Sequence, residues 1–266
     1  MSVLTLRLIA CIAMLLDHIG YWLNIMPFRI VGRIAFPIFC YLIYNGFVYT
    51  SSPLRYGLRL GIFAVISQIP FSLFAYNQLL VTNGNVFVTL LMALLCIWMT
   101  ERMLAYPKLR WISLVPAGIL FLLCHFGVIR SDYDAKGVLM VMVFYLTARW
   151  GWDKRLTMFA GIAAECIYGL LSALPSGIST WTWIHCFSLA ALPFLLLYNG
   201  RKGRLPNKKW AAKAVQYGFY LFYPVHMLVL WFIFFFIIYG VCCKILRQTP
   251  VAFREKTQWR RPFRNR

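Results

Sequence analysis

The chain has 266 residues, of which 62% are hydrophobic and 18% aromatic, while only 13% are charged. A soluble domain is about 45–50% apolar and about 25% charged, so the composition excludes a soluble globular enzyme and leaves a polytopic membrane protein. The net charge of +20 would point a soluble protein toward nucleic acid, but no hydrophilic domain exists to carry such a surface. Nucleic acid is therefore excluded as a partner, membrane lipid is expected, and the basic residues read as topology signals.

Hydropathy predicts an all-α helical bundle of about nine transmembrane spans, at 3–25, 30–50, 54–76, 84–103, 110–128, 136–150, 154–174, 180–198 and 213–241. The first is too long for a signal peptide and has a central Asp-His pair with no small-residue cleavage site, so it is read as a retained helix. Pro37 is expected to kink the second and expose backbone carbonyls. The fourth opens after the turn signal Asn83-Gly84-Asn85, and the sixth is short enough to be tilted or partly re-entrant. The eight cysteines lie mainly in apolar runs without C-x-x-C spacing and read as packing residues, which supports neither zinc nor a disulfide framework. With no internal repeat, residues 1–243 read as one transmembrane domain and 244–266 as a disordered basic tail.

Lys and Arg in short loops set the orientation. One set of loops holds Arg55, Arg59, Arg102, Lys108, Arg110, Arg149, Lys154, Arg155 and a cluster from Arg201 to Lys213. The opposite set has Arg29, Arg33, Arg130 and Lys136. This asymmetry places the amino terminus and Arg7 on the cytoplasmic side. It also places the eight basic residues of the tail outside, against the rule. A miscounted span, a tail translocated despite its charge, or an aberrant extension would each account for that.

Ionisable groups inside spanning helices are costly and by default mark a functional cavity. Arg7, Asp17 and His18 lie in the first span, with Arg7 and His18 eleven residues apart. At about 100° per residue those two share one face, roughly 16 Å apart along the axis. A cation at one end of a cavity and an imidazole deeper inside point to an anionic substrate, with His18 as general base. Asp17 stands about 100° round the helix from His18 and is expected to pair with a cation on a neighbouring helix. Arg33 either binds an acidic group of substrate, pairs with Asp17, or snorkels. His226, just after Pro224 and among the tyrosines of YGFYLFYPVH, is either hydrogen-bonded packing or part of the His18 cavity. Gln68, Asn85 and Glu165 are further polar groups fit to line it, whereas His125 and His185 lie near span ends and read as structural. The loop Ser131-Asp132-Tyr133-Asp134-Ala135-Lys136 has a D-x-D pair that reads either as a divalent-metal site or as a solvated turn before a helix. Two carboxylates alone are weak evidence for the metal, and no metal is assigned.

Five blocks then carry a resemblance: LLDHIG (15–20), GRIAFPIFCYLI (32–43), NV-x-x-TL (85–90), DYDAKGVLMV (132–141) and FYLFYPVHMLVL (219–230). In this order they resemble the TraX family of conjugation-associated membrane proteins, over roughly residues 5–235. The resemblance implies a bacterial cytoplasmic membrane location and amino-terminal acetylation of pilin. Wider relatives look like the membrane acyltransferase-3 superfamily, whose first-helix arginine and histidine map onto Arg7 and His18.

The function so implied is transfer of an acetyl group from acetyl-CoA to an amine or hydroxyl, on an acceptor protein such as a pilin N-terminus or on an envelope glycan. Arg7 would meet the coenzyme's phosphates. His18, Asp17 and His226 are the catalytic candidates, with Arg7, Arg33, Gln68, Asn85, Asp134 and Tyr223 as substrate-binding candidates. His226, Tyr223 or Arg33 would stabilise the oxyanion or position the acceptor. A transporter using the same polar cavity, or a scaffold for pilus or secretion assembly, are the rival readings.

Overall fold

The computed structural model describes residues 1–201, 203 and 208–248, with side chains through Ile237 apart from that of Lys209. Among the described residues the elements are all helical, with a lone bridge between Gly84 and Ser131.

Short polar residues set the helix ends. Helix α1 (Val3–Leu23) starts on Ser2, whose side chain accepts from the Thr5 amide, and stops on Asn24 in the left-handed region at φ 55°. The chain turns at once into α2 (Met26–Gly32) and α3 (Ala35–Tyr49), which together occupy the expected second span. Pro37 has no N–H to offer the Arg33 carbonyl four residues back, and the break falls there, at Arg33–Ile34. The expected kink therefore lies one turn upstream of the proline. Helix α4 (Pro53–Tyr76) is capped by Ser52 and ends on Asn77 at φ 52°, and α5 (Val86–Leu104) is capped by Asn85.

Then come α6 (Val115–His125), α7 (Asp134–Arg149), α8 (Lys154–Ala173), α9 (Thr180–Cys186), α10 (Leu192–Leu196) and α11 (Lys209–Gln248). Counting α2 and α3 as one, six helical segments among the described residues are long and apolar enough to cross a membrane. The other three expected spans are shorter. Helix α6 has 11 residues and α7 has 16, while 180–198 breaks into α9, a 3₁₀ turn at Phe187–Ala191, and α10.

Lipid is as apolar as leucine, so close packing rather than burial from water holds such helices together. Gly161 of α8 illustrates this, since a Cβ there would sit 2.3 Å from the ring of Phe144 on α7. Phe144, Ile38, Leu60, Leu94, Ile162 and Met227 are among the most enclosed side chains of the bundle.

The loops sort into two ends as the charge pattern predicts. At one end the Val3 amide donates to the Arg201 carbonyl and that of Asn199 to Met1. At the other, Gly84 donates to the Arg130 carbonyl. Trp231 of α11 donates to Asn77 at 3.1 Å, so α11 runs from the basic-loop end to the opposite one. It continues through the boundary expected at 243 to Gln248, and residues 249–266 of the expected tail lie outside the described residues.

Candidate functional site

Helices α1, α2, α3, α4 and α11 and the 129–133 loop enclose a cavity of about 290 Å³. Its wall includes Asp17, His18, Arg29, Arg33, Asp132, Tyr133, His185 and Tyr223. His18 presents its Nδ1 to Nε2 of His226 at 2.7 Å, joining α1 to α11 across 208 residues of chain. The two rings are within 10° of parallel with centroids 4.9 Å apart, which a 2.7 Å contact permits only if they lie end to end.

That line fixes the protons. Nδ1 of His226 lies 2.7 Å from the Phe222 carbonyl one turn back, and a carbonyl only accepts. His226 therefore carries its proton on Nδ1 and accepts at Nε2, so His18 donates from Nδ1 and keeps the lone pair on Nε2. A neutral imidazole with a held tautomer and one free basic nitrogen is the arrangement general-base chemistry needs.

Asp17, one residue earlier, does something else. Arg33 Nη2 donates to its Oδ1 at 2.5 Å and Arg29 Nη1 to its Oδ2 at 2.8 Å. Both oxygens are engaged, so the carboxylate is a buried clamp between α1 and α2 rather than a catalytic base. The expected pairing with a cation on a neighbouring helix, and with Arg33 in particular, is what the structure contains. The clamp holds one more positive than negative charge, and Arg29 also lies over the rings of Tyr21 and Trp181 at 5.4 and 5.2 Å.

Asp132 faces the same cavity. Asp132 is an exposed residue, yet the protein packed around its carboxyl pushes it from 3.8 up to about 6, against the pull of Arg33. Asp134, the expected member of the D-x-D pair, points elsewhere and accepts from the Ser131 amide at 2.7 Å. It shapes the turn into α7 and does not line the cavity.

Arg7 occupies a second, narrower cavity of about 80 Å³ with Tyr56, Gln216, Phe219 and Tyr220. Its guanidinium sits 5.7 Å over the Phe219 ring and makes no ion pair among the described residues. Arg7 and His18 thus share a helix face but not a chamber. Met14, Phe39, Val86 and Tyr223 belong to both walls and form the partition between them.

Gln68 and Asn85 line neither cavity. Asn85 donates to the Ala64 carbonyl at 2.7 Å and to Gln68 Oε1 at 3.0 Å, and Gln68 donates to the Asn83 carbonyl at 2.8 Å. They pin the loop before α5 and so position Val86 in the partition. Glu165 is buried against Ser188, away from both chambers. His125 meets the Tyr168 hydroxyl at 2.5 Å, in the structural role expected. His185 departs from expectation: it lies on the main cavity wall, edge-on to Tyr133. Arg29 was legible from its place one turn before Arg33 on the same helix, and Asp132 from its neighbour Asp134.

The description "TraX protein" fits residues 2–234 of this chain. A probable fimbrial assembly protein, FimC of serogroup H1 from Dichelobacter nodosus, is 28% identical, the match covering 86% of this chain and 94% of that protein. An uncharacterised protein of Rickettsia prowazekii (strain Madrid E) is 24% identical, covering 87% and 91% respectively. No solved structure matches. With a family match across nearly its whole length and apolar helices long enough to cross a bilayer, the chain belongs to the TraX protein family and is a multi-pass protein of the bacterial cell membrane.

Proposed function

We propose that this protein is a membrane acyltransferase that moves an acetyl group from acetyl-CoA to an amine or hydroxyl acceptor. The observation that carries the reading is the His18–His226 pair, with His18 on the wall of one chamber that a four-residue partition separates from a second chamber holding Arg7, which makes no ion pair among the described residues. Acetyl-CoA enters at the basic-loop end, read as cytoplasmic, where Arg7 meets its phosphates through charge-assisted bonds. The acceptor enters the larger chamber from the opposite end.

His18 Nε2 takes the proton of the attacking nitrogen or oxygen, which bonds to the thioester carbonyl carbon. The carbon–sulfur bond then breaks, and the proton held by His18 passes to the departing thiolate. Transfer is direct, and no covalent enzyme intermediate is needed. When the acceptor is an amine, the Asp132 carboxylate would hold its ammonium and take one proton from it, leaving the neutral amine whose second proton passes to His18 on attack. The fimbrial-assembly name of the Dichelobacter nodosus relative supports a pilus subunit as the acceptor protein, with an envelope glycan as the other candidate.

The same name favours a second reading, in which the protein assembles fimbriae without chemistry and its polar clusters only fix helix packing. Radiolabelled acetyl-CoA added to membranes carrying wild type or His18→Ala separates the two. Label in a protein or glycan with wild type alone supports transfer. Equal label in both, or none with both proteins folded and acceptors present, moves the reading to assembly.

A further inference from the structure

Acyl transfer needs a donor for the negative charge that builds on the carbonyl oxygen, and preorganised donors at that point dominate the rate gain. Three side chains near His18 qualify by chemistry, and the hydrogen-bond inventory separates them. Arg33 is tied by Nη2 to Asp17 and by Nε to the Arg29 carbonyl at 3.4 Å, and it lines the larger chamber but not the one that holds Arg7. His226 has spent both nitrogens, on Phe222 and on His18. Tyr223 is different. It is only 3% exposed, its hydroxyl meets no partner at full hydrogen-bonding geometry, and it belongs to the wall of both chambers. A buried hydroxyl left unspent costs stability unless a ligand uses it.

The neighbouring backbone orients that hydroxyl. The Val86 amide, first of the 19-residue helix α5, turns its N–H toward the Tyr223 hydroxyl oxygen, and Val86 belongs to both walls. Asn85 caps α5 through the Phe87 amide at 3.0 Å, which leaves the Val86 amide uncapped. An uncapped amide at a helix start points its N–H and the positive end of the helix dipole outward. His226, edge-on to Tyr223 with centroids 5.9 Å apart, brings the His18 relay to the same place.

We propose that the Tyr223 hydroxyl, its oxygen held by the Val86 amide, is the oxyanion donor, holding the acyl carbonyl in the partition between the donor and acceptor chambers. The proposal rests on the acyl-transfer reading. As the nucleophile bonds to the carbonyl carbon, the carbonyl π electrons move onto oxygen and are held by the Tyr223 O–H. They return as the carbon–sulfur bond breaks, so the hydroxyl keeps its proton and Tyr223 leaves the cycle unchanged.

The test is steady-state transfer by the detergent-solubilised full chain as wild type, Tyr223→Phe and Val86→Pro. Proline is well tolerated at a helix's first position, so Val86→Pro deletes one N–H and keeps α5. Each variant is expected to lose about 100-fold in kcat with KM for acetyl-CoA changed by less than about threefold. Binding of S-ethyl-CoA, a thioether without the carbonyl, is expected to stay at the wild-type level in both. The inference is overturned if both variants keep wild-type kcat, or if the loss falls in KM and in thioether binding instead. Should one variant fail to fold, as read by thermal unfolding, the other decides. Wild type that transfers no acetyl group overturns the acyl-transfer reading itself, an outcome distinct from an active wild type with active variants.

Discussion

Gly32 of α2 lies directly against Asp17 of α1: a Cβ at position 32 would come within 2.2 Å of the Asp17 Cβ and 2.4 Å of its Oδ1. The missing side chain lets α2 fold back closely enough for Arg29 and Arg33 to reach the carboxylate. Gly32→Ala is therefore expected to destabilise the protein by about 1–3 kcal/mol, the range for overpacking a close contact. A melting temperature in detergent equal to wild type would refute this account of the α1–α2 contact.

Removing the acid itself is expected to cost more. Asp17→Asn leaves two guanidiniums, both largely buried, without their hydrogen-bonded carboxylate and with Asp132 as the nearby counter-charge, and breaking a buried pair in this way costs about 3–5 kcal/mol. Arg33→Met added to Asp17→Asn removes one stranded charge and is expected to recover part of the loss. Thermal unfolding of the two variants checks it, and a double variant less stable than the single one would count against the clamp.

The Asp17 clamp was legible in the sequence because a carboxylate in an apolar helix demands a cation, and Arg33 lies across a tight turn from it. The relay was half legible. Two intramembrane histidines point to one cavity, but only their meeting and the Phe222 carbonyl fix the tautomers. His185 was missed because hydropathy merges 180–198 into one span and places it near an end, whereas α9 ends at Cys186 and presents it to the cavity. Gln68 and Asn85 misled for the opposite reason. Polarity in an apolar run reveals burial, but not whether the bonds are spent on a neighbouring loop.

Asp132 gives a pH signature. Its carboxyl titrates near 6 in the folded protein against 3.8 in the open chain, so between those values the folded state holds more protons than the unfolded. Stability contributed by this group is thus present at low pH and lost as pH rises through about 6. Asp132→Asn is expected to raise the melting temperature relative to wild type at pH 7, with the difference shrinking toward pH 4. Parallel melting curves across that range check the sign, and a difference that grows in acid would contradict it.

The two chambers predict separable kinetic defects. Arg7 lies beyond the partition from His18, so Arg7→Ala is expected to raise KM for acetyl-CoA about tenfold with kcat and acceptor KM near wild type. Replacing Arg7 with Lys keeps the charge and is expected to restore much of the loss. Varying donor and acceptor concentrations independently reads the two constants, and a defect confined to the acceptor would misplace the donor chamber.

His18 and His226 are expected to act as one unit. His226 contributes no group to the cavity wall; its role is to accept the His18 Nδ1 proton and so keep the basic lone pair on Nε2. His226→Ala frees the His18 ring to rotate and to populate the other tautomer, which is expected to lower kcat about 100-fold with KM nearly unchanged. His18→Ala removes the base outright and is expected to lose more. Once His18 is gone, however, there is no tautomer left to hold, so His18→Ala with His226→Ala should be no slower than His18→Ala alone. Losses that multiply in the double variant would mean that His226 acts on the substrate by its own route.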